Sequence, residues 1–148
     1  MGLSLAELLE IYRYHEPKIS LTPDSDALLS HLRWKNIKVG IISDGRSKTQ
    51  RNKLKALGLE WIEDVVISEE FGSEKPCEAN YLYFEKKYPG YRFTYIADNL
   101  KKDFVTPNRL GWYTICLKDY GRNIHSQNIE TTEAQRPQIT VENLTDLI

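Results

Sequence analysis

Short apolar segments alternate with amphipathic segments along most of the chain. Four segments are rich in β-branched and aromatic residues and have the length of buried strands: residues 38–43, 64–68, 93–98 and 112–117. Apolar residues at helical spacing predict helices over residues 5–14, around Leu28, Leu29 and Leu32, and over 47–57, 78–88 and 101–109. Residues 119–136 are polar and predict a loop, and residues 139–148 predict a short strand and a final helical turn.

Strands that are apolar on both faces and alternate with helices indicate a parallel sheet covered by helices. The 148 residues therefore predict one α/β domain with a three-layer, Rossmann-like architecture. Ligands of such sheets bind beyond the carboxyl ends of the strands. The residues that directly follow each predicted strand are therefore the candidates for a functional site.

Charge and composition exclude several classes of protein. Lys and Arg number 20 against 21 Asp and Glu, and the net charge of −1 gives no electrostatic argument for a nucleic-acid or membrane partner. No apolar run reaches the roughly 18–20 residues that span a bilayer. The first residues lack the basic region of a signal peptide, and Cys77 and Cys116 lie in dissimilar contexts that predict no disulfide. We expect a cytoplasmic protein.

Groups suited to binding an anion follow the first two predicted strands. Ser43 offers a hydroxyl, and Asp44 and Gly45 predict free backbone N–H groups at the start of a helix. Lys75 precedes Pro76, which is acceptable as the first residue of a helix and would fix the lysine there. The hydroxyl, the backbone N–H groups and the ammonium together predict a phosphate site.

Two carboxylates follow the third predicted strand. Asp98 and Asp103 lie five residues apart on a predicted turn, and carboxylate oxygens suit a hard cation such as Mg²⁺. A hydroxyl, a lysine and metal-binding carboxylates at one edge of a sheet are the groups that phosphoryl transfer requires. The partner predicted by this set is a phosphorylated small molecule.

Three segments lie at the predicted strand ends in this order: Val39-Gly40-Ile41-Ile42-Ser43-Asp44-Gly45, Gly72-Ser73-Glu74-Lys75-Pro76 and Tyr95-Ile96-Ala97-Asp98-Asn99-Leu100-Lys101-Lys102-Asp103. In order and spacing they match the second, third and fourth motifs of the haloacid dehalogenase-like (HAD) hydrolase superfamily, which the sequence resembles over residues 10–118. The resemblance implies a phosphatase in which Ser43 hydrogen-bonds the phosphoryl group and Lys75 holds the charges of nucleophile and phosphoryl group. It implies that Asp98 and Asp103 serve a Mg²⁺ site.

The first motif of the family, an Asp-x-Asp at the end of an apolar strand, has no clear counterpart. Asp24 and Asp26 are the only aspartates before Ser43, but Pro23 directly precedes them and is unsuited to a central strand. We interpret residues 24–26 as the cap of a helix. The alternative is a minimal phosphatase in which Asp24 and Asp26 act as nucleophile and acid.

By this interpretation the chain is the C-terminal part of a HAD protein. Residues 1–16 are then a remnant of a cap helix and residues 119–148 a C-terminal tail. The sheet would lack its central nucleophile strand. We expect the strands that end at Ser43 and Asp98 to pair directly, or another chain to insert a strand between them.

The isolated chain should therefore have little or no catalytic activity and should bind Mg²⁺ weakly, because two carboxylates leave the ion most of its waters. A partner that supplies the missing strand, or a second copy of the chain, is expected. The alternative is a non-catalytic, degenerate domain that binds a phosphorylated ligand or a protein.

Overall fold

The structure is a computed structural model, and it describes residues 2–148. Its helices are α1 (Leu5–Tyr14), α2 (Pro23–Trp34), α3 (Ser47–Ala56), α4 (Ser68–Phe71), α5 (Ala79–Lys87) and α6 (Val105–Arg109). Its strands are β1 (Gly40–Ser43), β2 (Asp64–Ile67), β3 (Thr94–Ala97), β4 (Tyr113–Leu117) and β5 (Ile139–Val141). Two 3₁₀ helices span Glu133–Gln135 and Leu144–Leu147. The predicted α/β class and the four predicted strands are confirmed.

All strand pairs are parallel, as predicted, but they form two sheets. In the first sheet β1 pairs with β2, with Gly40 opposite Asp64 and Ser43 opposite Ile67. In the second sheet β4 lies between β3 and β5. The short strand predicted near the C-terminus is β5, and the final helical turn is the second 3₁₀ helix.

Of the two expected arrangements, insertion of a strand by another chain stays a prediction, whereas direct pairing of β1 with β3 is wrong, because no backbone pairing joins the two sheets within residues 2–148. Helix α5 contacts both sheets instead. Its Phe84 ring lies against the backbone of Gly40 in β1, and its Tyr81 ring packs at 5.4 Å, centroid to centroid, on Tyr95 in β3. We attribute the separation to this packing, because bulky side chains rather than main-chain hydrogen bonds join the sheets.

The core lies around α5. Its buried cluster comprises Val66, Tyr81, Phe84 and Trp112, and therefore draws on both sheets. Burial of large aromatic side chains is a strong stabilising contribution. Tyr81 and Trp112 meet edge to face at 5.6 Å and 76°, and Phe93 stacks on Trp112 at 4.6 Å.

Helix α2 begins one residue before the predicted cap. Thr22 is the N-cap and accepts a hydrogen bond from the backbone N–H of Ser25, while Asp24 and Asp26 lie in the first turn. The helix was predicted correctly, but the cap residue was wrong. Asp24 also accepts a hydrogen bond from the backbone N–H of Leu144 at 3.3 Å, which ties the C-terminal 3₁₀ helix to α2.

Helix α1 has a capping box formed by Ser4 and Glu7, and none of its side chains is buried. It packs against α3. No helix in the described part of the chain is long and apolar enough to cross a membrane.

Candidate phosphate and metal site

The side chain of Asp44 contacts two other segments of the chain, the turn that holds Lys75 and the turn that holds Lys102. Its Oδ1 accepts a hydrogen bond from the backbone N–H of Lys75 at 3.0 Å, and its Oδ2 lies 2.6 Å from Nζ of Lys102. Asp44 directly follows β1, whereas Lys102 lies on the turn after β3. The structure therefore brings the ends of the two sheets together at this carboxylate, although the strands themselves do not pair.

Lys75 and Asp103 form an ion pair with 2.8 Å between Nζ and Oδ1, and their side chains are 13% and 4% exposed. The Oδ1 atom is fully buried and makes no well-aligned hydrogen bond within residues 2–148. An ionised group in such a place needs an opposite charge nearby, and Lys75 provides it. Lys75 is thus fixed at its backbone by Asp44 and at its ammonium by Asp103.

Lys75 is not placed at the start of a helix, as was predicted. Residues 75 and 76 form a turn with a cis peptide bond, and α5 begins only at Ala79. The prediction that Pro76 is the first helical residue is wrong. The carbonyl of Pro76 accepts a hydrogen bond from the Thr106 hydroxyl, so α6 holds this turn.

Ser43 and Gly45 lie at the end of β1, but both polar groups are already engaged. The hydroxyl of Ser43 donates to Oε1 of Gln50 at 3.2 Å, and the N–H of Gly45 donates to Oγ of Ser68 at 2.9 Å. Gly45 has φ +139°, and a Cβ there would lie 2.5 Å from Nε2 of Gln50, so only glycine fits.

The N–H of Ser47 at the start of α3 donates to Oε2 of Glu69 at 2.6 Å. The expectation of free backbone N–H groups is therefore not met at Gly45 or Ser47. A ligand would have to replace side-chain partners at both positions.

Asp98 lies at the end of β3, where its backbone carbonyl accepts a hydrogen bond from Nε2 of Gln127 at 2.9 Å. Burial raises the pKa of the neighbouring Cys116 thiol to about 11, and the charges of Asp98 and Asp103 add to this shift. Both predicted metal-binding carboxylates therefore act on one thiol and lie in one neighbourhood. The thiol stays protonated at neutral pH and is unsuited as a nucleophile.

The donor set fits Mg²⁺ in kind. Asp98 and Asp103 supply the hard carboxylate oxygens that this ion prefers, and Oδ1 of Asp103 is paired with Lys75 but makes no well-aligned hydrogen bond within residues 2–148. No group of three or more His, Cys, Asp or Glu residues that could hold a metal ion occurs within residues 2–148. Two carboxylates alone would supply only part of the ligands that Mg²⁺ requires.

Tyr81, which is buried, and Tyr95, which is partly buried, lie near the charged groups. Burial raises the pKa of the Tyr81 and Tyr95 phenols well above the ordinary value, and the negative charges of Asp103 and Asp44 raise both further. The two carboxylates therefore share these phenols as neighbours. Both tyrosines therefore remain neutral at neutral pH.

Asp24 and Asp26 lie apart from this group. In the described residues, neither carboxylate forms a hydrogen bond or ion pair with Ser43, Lys75 or Asp98, and Asp24 is bound to the C-terminal segment. Their location in the first turn of a helix supports a structural role.

Several residues at the site carried no sequence signal. Lys102, Gln50 and Gln127 are polar residues of the kind that usually face solvent, and Tyr81 and Tyr95 follow the apolar pattern of the core. Only the pattern of strand ends could have directed attention to Lys102, because it lies between two candidate metal ligands.

Comparison with known proteins identifies the family. Residues 4–115 match the family model described as haloacid dehalogenase-like hydrolase. A glyceraldehyde 3-phosphate phosphatase of Methanocaldococcus jannaschii is 32% identical over 111 residues, which make up 71% of this chain and 49% of that protein. The chain thus spans about half the length of the curated relatives it matches.

Solved structures agree with this match. A HAD phosphatase from Thermococcus onnurineus has a TM-score of 0.70 and 25% identity, covering 99% of this chain and 64% of that one. A magnesium-bound HAD-hydrolase from Bacillus subtilis has a TM-score of 0.67 and 23% identity, covering 86% and 54%. On its sequence and its fold, this chain belongs to the haloacid dehalogenase-like hydrolases.

Proposed function

We propose that this chain forms the phosphate-holding and metal-holding part of a Mg²⁺-dependent phosphatase that acts on a small phosphorylated molecule. The observation that carries the proposal is Lys75, a nearly buried lysine fixed between Asp44 and Asp103 at the carboxyl ends of the strands. Because the relatives from three archaea are named glyceraldehyde 3-phosphate phosphatases, that compound is the first substrate to test.

Lys75 would stabilise the negative charge of the phosphoryl group. Its ammonium lies in a site of low exposure, where charge interactions are stronger than in water. The Ser43 hydroxyl would donate its hydrogen bond to a phosphoryl oxygen instead of Gln50. The backbone N–H of Gly45 would likewise donate to the phosphoryl group instead of Ser68. These groups bind and orient the phosphate.

Asp98 and Asp103 would hold the magnesium ion. When bound, the ion would neutralise charge on the phosphoryl oxygens. Asp103 also keeps the Lys75 ammonium in place, so metal and lysine would share this carboxylate.

A segment outside these 148 residues would supply the nucleophile. No Asp-x-Asp follows a strand within residues 2–148, and the edges of β1 and β3 that are not used in pairing are open to an added strand. An upstream segment of a longer protein, a partner chain or a second copy could bring a carboxylate to this position. Without it, we expect the chain to bind phosphate with little or no turnover.

A direct test is the binding of inorganic phosphate to the chain in the presence of Mg²⁺, measured by titration calorimetry. Lys75→Met should weaken binding about tenfold or more, because a charge-assisted hydrogen bond is lost. Ser43→Ala should weaken binding by a smaller factor and leaves the ion pair of Lys75 intact. Lys118→Met is the matched control, because it removes an exposed ion pair with Glu142. Unchanged binding in both Lys75→Met and Ser43→Ala would refute the site.

Turnover distinguishes the enzymatic function from its alternative. The chain alone and the chain co-expressed with the polypeptide encoded upstream are assayed with glyceraldehyde 3-phosphate and with an aryl phosphate. Metal-dependent turnover only in the second sample supports the phosphatase. Phosphate binding without turnover in either sample supports a non-catalytic domain. The hydrogen bonds that Ser43 and Gly45 already make to Gln50 and Ser68 favour this alternative. Turnover by the chain alone that Asp24→Asn abolishes would support the minimal phosphatase.

A further inference from the structure

Four charged residues form a closed ring between the ends of the two sheets. Oδ1 of Asp44 accepts the backbone N–H of Lys75, and Nζ of Lys75 lies 2.8 Å from Oδ1 of Asp103. Asp103 follows Lys102 in the chain, and Nζ of Lys102 lies 2.6 Å from Oδ2 of Asp44. Asp44 belongs to the first sheet and Lys102 and Asp103 to the second, so this charged ring crosses the split.

We propose that Lys102 is a positioning residue that acts through Asp44 to hold Lys75 in the phosphate site. Lys102 is 58 residues from Asp44 in sequence and is the only side chain that donates to Oδ2 of Asp44 within residues 2–148. The pattern of the sequence gives it no role. The consequence for phosphate rests on the proposed function, whereas the ring itself does not.

The physical argument starts from the two oxygens of Asp44. Its side chain is 18% exposed, so water replaces a lost partner only in part. Without Lys102, the negative charge of the Asp44 carboxylate is stabilised within residues 2–148 by one uncharged hydrogen-bond donor, the backbone N–H of Lys75. The carboxylate is then better solvated after it rotates towards water, and such a rotation releases the backbone of Lys75.

Charge acts in the same direction. The ring holds two positive and two negative side chains, and Asp98 adds a third negative charge nearby. The Lys102 ammonium lies 2.6 Å from Oδ2 of Asp44, so it compensates the charge of this carboxylate directly. Loss of Lys102 would increase the excess of negative charge in this group from one to two, which disfavours an incoming phosphate.

Lys101 offers a matched control for charge alone. It lies on the same turn, and its ammonium forms no ion pair in the part of the chain that the structure describes. Lys101→Met therefore removes one positive charge near the site and leaves the ring intact. Lys102→Arg keeps the charge at the ring position and tests for rescue by a conservative change.

The first measurement is amide hydrogen exchange at Lys75 in the free chain. Lys102→Met and Asp44→Ala should each speed exchange of this N–H about tenfold, and the double variant should exchange no faster than either, because both act on one interaction. Lys101→Met should leave the rate unchanged and Lys102→Arg should restore most of the protection. Lys102→Gln replaces Lys102→Met if circular dichroism shows that the latter is unfolded.

The second measurement is titration of the same variants with inorganic phosphate. Lys102→Met should weaken binding about tenfold and Lys101→Met less than about twofold. Equal exchange rates in Lys102→Met and Lys101→Met would overturn the positioning role, even if phosphate binds. If the wild-type chain binds no phosphate but Lys75 exchange responds as expected, the ring stands and the proposed function fails.

Discussion

Substitution of Gly40 by alanine tests the contact by which α5 holds the first sheet. A Cβ at this position would overlap Cε1 of Phe84 and would lie 2.9 Å from Cζ. The ring cannot move freely, since Phe84 is 7% exposed and belongs to the core cluster. Gly40 does not have a positive φ, so the substitution introduces no backbone strain beside the steric overlap.

The overlap should lower the free energy of unfolding by about 2 kcal/mol, within the range of overpacked cores. For a chain of this size the melting temperature should fall by roughly 4–8 °C. Urea unfolding followed by circular dichroism gives the free energy, and a thermal scan gives the melting temperature. Gly2→Ala is the control, because no atom lies within 4 Å of its Cβ position.

A double variant separates the steric clash from other effects. Phe84→Leu removes the part of the ring that meets the new methyl group, so the cost of Gly40→Ala should be smaller in that background by about 1 kcal/mol. The reasoning is refuted if Gly40→Ala unfolds within about 0.5 kcal/mol of the wild type, or if the two costs simply add.

Two further substitutions test buried polar groups. Asp64, at the start of β2, accepts hydrogen bonds from Lys87, Tyr83 and Tyr88; burial alone would raise its pKa, but these bonds together hold the pKa below its ordinary value. Asp64→Asn should lower the free energy of unfolding by about 1–3 kcal/mol at pH 7. The difference from the wild type should shrink below about pH 4, because the wild-type carboxylate is then protonated. Urea unfolding at several pH values measures both effects. Thr49 has a buried hydroxyl without a partner in the described residues. Thr49→Val should therefore raise the free energy of unfolding by about 1 kcal/mol and move the urea midpoint to a higher concentration. A lower midpoint would contradict this.

The strands could be predicted because each is a short segment rich in β-branched and aromatic residues, although β1 and β3 are less covered than such segments suggest. Helix boundaries were harder where side chains compete with the backbone. Residues 101–104 were predicted as helical, but they form turns in which Asn99 accepts hydrogen bonds from the N–H groups of Lys101 and Asp103, and α6 begins at Val105. The four-residue helix α4 was missed because it is too short to show a periodicity.

The site could be predicted only in outline. Parallel strands align their carboxyl ends, and this rule alone indicated that Lys75 and the aspartates after β3 would lie near each other. The roles assigned to Ser43, Lys75 and Asp98 stay predictions. The partners of Asp44 depend on how two sheets face each other across a split, and no local pattern encodes that arrangement.

The manner in which α5 joins the sheets has a mechanical consequence. Strands within a sheet share a ladder of directional hydrogen bonds, so sliding one strand past another breaks several bonds at once. Contacts between rings such as Phe84 and the Gly40 backbone, or Tyr81 and Tyr95, have no such register and adjust through small rotations. Under shear, the two sheets should therefore shift against each other as stiff plates, and deformation should concentrate in the layer of aromatic rings.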